Sequence, residues 1–235
     1  MPLSRPATDT ERAQLTTEGY FVRKAFLDPR EVATLQNLTD DAVERSVGTA
    51  PRVNRMRSQS LLVAGPGSEP AAQGLLRFCL GPVVASLAGS LLGADAAFLT
   101  YQVAYKPAGV EKIVPWHQDD KAARTDPGYL TLWIALSEIH EFSGCLRFLP
   151  GISLDKLREV QHERRYPTCW SWNHPEQGVP IALRSGDLVV FQSKLIHMSG
   201  PNRSRGMRKA LSILISRRGL TRQGQVVPTI LYRAE

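Results

Sequence analysis

Hydrophobic periodicity changes once along this chain, near Asp95, and that change limits what it can fold into. Up to that point apolar residues recur at helical spacing; beyond it they alternate or run in short blocks. Glu11 to Val22 reads as a short helix leading into a strand at Tyr20–Val22. Asp28 and Pro29 have the chemistry of an N-cap and a first helical position, so a helix is expected from Arg30 to about Arg45, with Val32, Leu35, Leu38 and Val43 as its apolar stripe. Two further helices are expected at 69–79 and 82–92, the second ended by Gly93. Beyond the change, Phe98–Tyr105 reads as a strand stopped by Pro107 and Gly109. Further strands are expected at Leu130–Leu136, Gly144–Pro150, Pro180–Leu183, Asp187–Phe191 and Lys209–Ser216. Short strands at close spacing, bounded by turn residues, suggest a sandwich or a barrel. The expected organisation is one domain over residues 1–235, a mainly helical part to about residue 95 packing on a β core from residue 96 onward.

Composition narrows the class. A chain of 235 residues with 43% hydrophobic and 22% charged content fits a soluble globular protein with one substantial core. The Leu80–Leu92 stretch is too short to span a membrane and is broken by Gly81 and Pro82, and no signal-peptide core follows Met1–Pro6. Cys79, Cys145 and Cys169 are odd in number and form no CxxC pair, which argues against a disulfide framework or a cysteine-based zinc site. A reducing, cytoplasmic location is therefore expected. The net charge of +7, from 29 basic and 22 acidic residues, is spread over short groups such as Arg164-Arg165, Arg203/Arg205 and Arg217-Arg218. With no helix-turn-helix, RNP-like or zinc-finger pattern, it reads as a solvated basic surface, and neither nucleic acid nor a membrane is an expected partner.

Chemistry concentrates at Pro115-Trp116-His117-Gln118-Asp119-Asp120. In an extended segment His117 and Asp119 point to the same face, while Asp120 points to the other. His197, far along the chain, can supply a third ligand, and two histidines with one carboxylate form the arrangement expected for non-haem Fe(II) oxygenases. A zinc-dependent hydrolase or isomerase can use the same three groups. The remaining histidines, His140, His162 and His174, read as structural hydrogen-bonding residues, the last two also placed to line a substrate mouth. Arg208 opens the strand eleven residues after His197. A guanidinium binds a carboxylate through two parallel hydrogen bonds, so Arg208 suits the distal end of a dicarboxylate such as 2-oxoglutarate; the alternative is a surface arginine.

Four separated stretches resemble the phytanoyl-CoA dioxygenase family of Fe(II)/2-oxoglutarate-dependent oxygenases. They are Glu18–Val22 with Phe26–Val32; Pro115–Asp119; Leu132–Leu136 with Ser143–Gly151; and Gly186–Phe191 with His197–Ser204. The resemblance implies a double-stranded β-helix (jelly-roll, cupin-like) core flanked by helices, with His117, Asp119 and His197 as Fe(II) ligands. It implies that Arg208 binds the distal carboxylate of 2-oxoglutarate, that Ser199 adds a hydroxyl to it, and that Trp133 and Gln102 line the co-substrate pocket. Arg57 is a further candidate to approach the co-substrate. Trp133 can equally be core, and Gln102 a polar group at a strand edge. The implied reaction consumes O₂ and 2-oxoglutarate, releases succinate and CO₂, and hydroxylates an unactivated C–H bond. Related halogenases lack the carboxylate ligand; this chain keeps Asp119, which favours hydroxylation. Desaturation, cyclisation and epoxidation stay open as outcomes. Arg52, Arg55, Arg57 and Arg164-Arg165 point to a small polar or anionic metabolite as substrate, of the kind found in specialised biosynthesis. A catalytically silent jelly-roll binding module would have no need of all four of His117, Asp119, His197 and Arg208.

Overall fold

The computed structural model describes residues 4–47, 53–56, 60–64, 70–93, 96–119, 129–150, 170–171, 178–217, 221–222 and 225–226. Its helices begin where the sequence supplies caps. At the start of α1 (Asp9–Thr17) the Thr8 hydroxyl accepts from Glu11 N at 3.2 Å, and Thr8 N donates to the Glu11 carboxylate at 2.8 Å. At α2 (Pro29–Val47) Asp28 Oδ1 accepts from the amides of Arg30 and Glu31 at 2.8 and 2.9 Å, and Asp28 N donates to Glu31. Helices α3 (Pro70–Cys79) and α4 (Pro82–Leu92) follow, the latter with Pro at its first turn and Gly93 at its end with φ +79°.

The strands are β1 (Tyr20–Arg23), β2 (Val53–Met56), β3 (Ser60–Ala64), β4 (Ala96–Lys106), β5 (Val114–Gln118), β6 (Leu130–Ala135) and β7 (Leu146–Phe148). They continue with β8 (Trp170–Ser171), β9 (Val179–Ile181), β10 (Leu188–Gln192), β11 (His197–Ser199), β12 (Arg208–Arg217), β13 (Thr221–Arg222) and β14 (Gln225–Val226). A seven-stranded sheet has the order β1-β10-β6-β12-β4-β3-β2, and a five-stranded sheet the order β8-β5-β11-β7-β9, while β13 and β14 pair with each other. Every pairing is antiparallel, and the two larger sheets form the jelly-roll core expected from the sequence. The region before residue 95 is not only helical: it gives β1, β2 and β3 to the large sheet.

The central strands β4, β6, β10 and β12 of the large sheet are buried on both faces, which is why they read as near-continuous apolar runs. On one face Tyr101, Val103 and Tyr105 of β4 and Leu211, Ile213 and Ile215 of β12 pack with Leu35 of α2, Leu75 of α3 and Leu87 of α4. On the other, Ala104, Trp133, Ala135, Val189, Phe191 and Ala210 meet Leu146, Phe148 and Ile181 of the small sheet. Full burial of an Ile or Leu side chain contributes about 1.5–3 kcal/mol, so the helix-backed face is a major source of stability. A polar tie reinforces it: Asp40 of α2 accepts from the Tyr105 hydroxyl at 2.6 Å and from Lys209 Nζ at 2.7 Å.

Among the described residues no single helix is long and apolar enough to cross a membrane. The bent pair α3 and α4 reaches that length together, but Leu75, Cys79, Val84 and Leu87 of this pair are buried in the protein core.

Candidate active site

The strands β5 and β11 run antiparallel with His117 opposite His197, so two residues eighty positions apart in sequence project side by side into the space between the sheets. Their ring centroids are 4.1 Å apart. Each ring is oriented by its own strand: His117 Nδ1 lies 2.7 Å from the Pro115 carbonyl and His197 Nδ1 lies 2.9 Å from the Leu195 carbonyl. A carbonyl only accepts, so Nδ1 carries a proton in both rings, and each Nε2 is left to face Asp119. Asp119 sits just beyond β5, its amide donating to the Ser193 carbonyl at 3.0 Å and its own carbonyl accepting from the Tyr129 hydroxyl at 3.0 Å. Its Oδ1 stands 3.4 Å from His117 Nε2 and 3.7 Å from His197 Nε2, and the potential ligand atoms of all three residues lie within 4.8 Å of one another. Three donors this close together suit one metal ion, and two histidines with one carboxylate are the set that leaves room for exogenous ligands.

Electrostatics agree with that donor set. Burial, then the neighbouring His117, hold the His197 pKa down at about 4 against the pull of Asp119, so the ring is neutral at physiological pH. Burial pushes the Asp119 carboxyl up, but the two imidazoles outweigh it and its pKa is lowered. Neutral imidazoles and an ionised carboxylate are the forms that ligate metals. The side chains of His117 and His197 are 7% and 5% exposed and that of Asp119 is 26% exposed, so the centre opens on the Asp119 side. Phe191 packs beside His197 with centroids 4.9 Å apart, backed by Phe148 and Tyr20.

A second cluster lies along the same interior. Arg208 opens β12 directly opposite Lys106, the last residue of β4. The Arg208 guanidinium lies over the Trp133 ring at 5.4 Å, and its Nε is one of two buried side-chain atoms among the described residues with no hydrogen-bond partner, the other being Thr131 Oγ1. Burial lowers the Arg208 pKa to about 10, which leaves it charged. Ser199, two residues after His197 on the same face of β11, accepts from Lys106 Nζ at 2.7 Å. Asn202 supports the turn, donating to the Lys106 carbonyl at 2.8 Å. The turn passes so close to Gly144 (φ +77°) that a Cβ there would meet the Gly200 carbonyl at 2.6 Å. One row further along, Ala104, Ala210 and Ala135 face one another across β4, β12 and β6, all three buried.

The residues singled out from the sequence thus fall into place unequally. His117, Asp119 and His197 converge, and Arg208, Ser199 and Trp133 gather around the second cluster. Gln102 shares the interior face but pairs with Ser212, about 13 Å along β4 from Lys106 at the usual strand rise. It is not at a strand edge, because β4 lies between β12 and β3. Arg57, Asp120, His162, His174, Arg52, Arg164, Arg165 and Cys169 lie outside the described residues. His140 is exposed at the start of a one-turn 3-10 helix, its ring 6.5 Å from that of Phe142. Lys106 and Asn202 were not expected. Asn202 stands in a motif already noted, but Lys106 reads as a strand end ahead of Pro107.

A family profile described as Phytanoyl-CoA dioxygenase (PhyH) matches residues 15–210, which includes all of these groups. The chain belongs to this family. It is 34% identical over 142 residues to phytanoyl-CoA dioxygenase 1 of Oryza sativa subsp. japonica, covering 58% of this chain. The match spans 50% of the rice protein, so the chain accounts for half the length of that relative. Among solved structures, EvdO2 from Micromonospora carbonacea var. aurantiaca, complexed with 2-oxoglutarate, superposes with a TM-score of 0.70 at 20% identity, covering 92% of this chain and 93% of that one. The epimerase SnoN, in complex with Fe3+, alpha ketoglutarate and nogalamycin RO, superposes with a TM-score of 0.69 at 20% identity, covering 89% and 83%. At these identities the two structures speak for the fold.

Proposed function

We propose that this protein is an Fe(II)- and 2-oxoglutarate-dependent oxygenase that hydroxylates an unactivated C–H bond of a small polar or anionic metabolite. One observation carries the reading: two histidine Nε2 atoms and Asp119 Oδ1 converge in the interior that also buries an arginine whose Nε has no partner among the described residues. His117, Asp119 and His197 would hold Fe(II), and Arg208 and Ser199 the distal carboxylate of 2-oxoglutarate. Bound there, iron with its co-substrate and O₂ supplies the oxidising power for hydroxylation, releasing succinate and CO₂. Family membership and the 2-oxoglutarate and iron held by the superposed structures support this chemistry.

The chain's own residues do the rest. The Pro115 and Leu195 carbonyls fix both imidazoles so that Nε2 needs no reorientation to ligate. Trp133 beneath Arg208 restrains the guanidinium plane. Tyr20, Phe148 and Phe191 keep water from the His197 side, leaving approach on the more exposed Asp119 side, where the substrate would enter. Asp119 occupies the position that halogenases leave open, which favours hydroxylation. The basic groups Arg52, Arg55, Arg57 and Arg164-Arg165 support an anionic substrate, and the free buried thiols of Cys79 and Cys145 suit a reducing, cytoplasmic setting.

The test is anaerobic addition of Fe(II) and then 2-oxoglutarate to apo-protein, following the weak visible charge-transfer band of the chelate, and then succinate release with candidate substrates. A band that requires Fe(II) supports the reading. Tight zinc binding with no band would replace it with a zinc-dependent hydrolase or isomerase.

A further inference from the structure

Lys106 is completely buried and faces the interior beside Arg208. Its ammonium donates to Ser199 Oγ at 2.7 Å and to the Gly200 carbonyl, with the Lys112 and Ser199 carbonyls at 3.4 and 3.5 Å. All of these acceptors are neutral. Among the described residues neither Lys106 nor Arg208 forms an ion pair with a carboxylate, and the charge of Arg208 opposes that of Lys106. Two buried like charges at adjacent positions, with no counter-ion, are costly unless an anion shares their space. The unpartnered Arg208 Nε shows that the cluster is also incomplete in hydrogen bonds.

Ser199 gives the cluster a direction. A hydroxyl has one proton to donate and lone pairs to accept with. Because Ser199 Oγ accepts from Lys106, its own proton must point elsewhere, and among the described residues nothing accepts it. We propose that Lys106 is a positioning residue for the co-substrate: by donating to Ser199 Oγ it commits the Ser199 hydroxyl to donate to the distal carboxylate that Arg208 pairs, and it places a second positive charge behind that hydroxyl. The inference rests on the 2-oxoglutarate reading of the site. Its consequence is selectivity, since Lys106 adds affinity for a 2-oxo acid that ends in a second carboxylate and none for one that ends in a methyl group.

The experiment is anaerobic titration of the Fe(II)-loaded protein with 2-oxoglutarate and with 2-oxopentanoate, which has the same chain length without the distal carboxylate, read by the chelate band. Hydrogen bonds to charged groups predict that Lys106→Met weakens 2-oxoglutarate by roughly 10- to 100-fold while 2-oxopentanoate changes by no more than about twofold. Ser199→Ala lowers the same ratio, and the double variant falls well short of the product of the two single losses, because the residues act as one relay. Equal weakening of both oxo acids in Lys106→Met would make the lysine a mere tie for the 199–202 turn and overturn the proposal. So would a wild-type ratio in Ser199→Ala, which decides the matter even where Lys106→Met does not fold. If wild type discriminates between the oxo acids and the variants keep its ratio, only the Lys106 relay fails. If wild type binds neither, the oxygenase reading fails and takes this inference with it.

Discussion

The strand β12 is buried along both faces, and the two faces are built for opposite ends. Toward the helices it presents Leu211, Ile213 and Ile215, each fully buried in apolar contact. Toward the small sheet it presents Arg208, Ala210 and Ser212: a charge whose Nε has no partner among the described residues, a methyl group and a hydroxyl. Neighbouring residues on one strand thus belong to different economies, because side chains alternate with a period of two. The helix-backed face supplies the stability that lets the other face carry an unsatisfied buried group.

The largest expected effect comes from breaking the barrel face at its metal end. Asp119→Ala removes the one anionic group of the triad, and loss of a direct ligand should exceed the 10- to 100-fold typical of groups one layer further out. No chelate band is expected with Fe(II) and 2-oxoglutarate, while thermal unfolding stays within a few degrees of wild type. A full-strength band in this variant would remove Asp119 from the centre. On the helix-backed face the expectation reverses. Ile213→Ala should cost about 2–5 kcal/mol in urea unfolding, as for other large-to-small changes at buried sites, with 2-oxoglutarate affinity unchanged in the folded protein. A cost under about 1 kcal/mol would show that this face does not carry the stability assigned to it.

Arg208→Met sharpens the contrast, because it touches the same strand as Ile213 from the other side. Removing a buried cation that lacks a counter-ion among the described residues should leave the apo-protein at least as stable as wild type. Affinity for 2-oxoglutarate should fall by about 1.5–3 kcal/mol, the range for hydrogen bonds to charged groups. Lower apo stability together with unchanged affinity would make Arg208 a structural residue.

The two faces were also unequally legible in the sequence. The helix-backed face follows from local patterns: the Asp28-Pro29 start, the stripe of α2 and the alternation in β4 and β12 each lie within one element. His117 and Asp119 were legible for the same reason, standing two apart in an extended segment. His197 has no such local signal, since β11 is three residues long and the residue faces His117 only because β5 and β11 pair. Lys106 was hidden altogether. A lysine before a proline at the end of a strand reads as a solvated terminus, and what buries it comes from β12 and the 199–202 turn, about a hundred residues further on. The strands β2 and β3 were missed likewise, since four or five residues in an arginine-bearing stretch make sense as strands only beside β4.

The smallest expected effect concerns pH, and it sets apo stability against co-substrate affinity through one group. Burial, then Arg208, lower the Lys106 pKa from 10.5 to about 7. Between pH 7 and 10.5 the unfolded chain holds a proton that the folded apo-protein has released, so through this group apo stability rises with pH across that window. A bound carboxylate favours the ammonium and raises its pKa, so binding 2-oxoglutarate above pH 7 takes up a proton. Affinity should therefore be full below pH 7 and fall as pH rises beyond it, by at most about tenfold per pH unit. The groups facing Lys106 do not supply this slope: Arg208 stays charged to about pH 10, the Cys145 thiol is pushed up by burial, and Ser199, Gly200 and Lys112 present only a hydroxyl and carbonyls. Measuring the 2-oxoglutarate Kd from pH 6.5 to 9 in wild type and Lys106→Met should show a slope in the first that is absent from the second. Parallel profiles would place the titrating group elsewhere and leave Lys106 charged throughout.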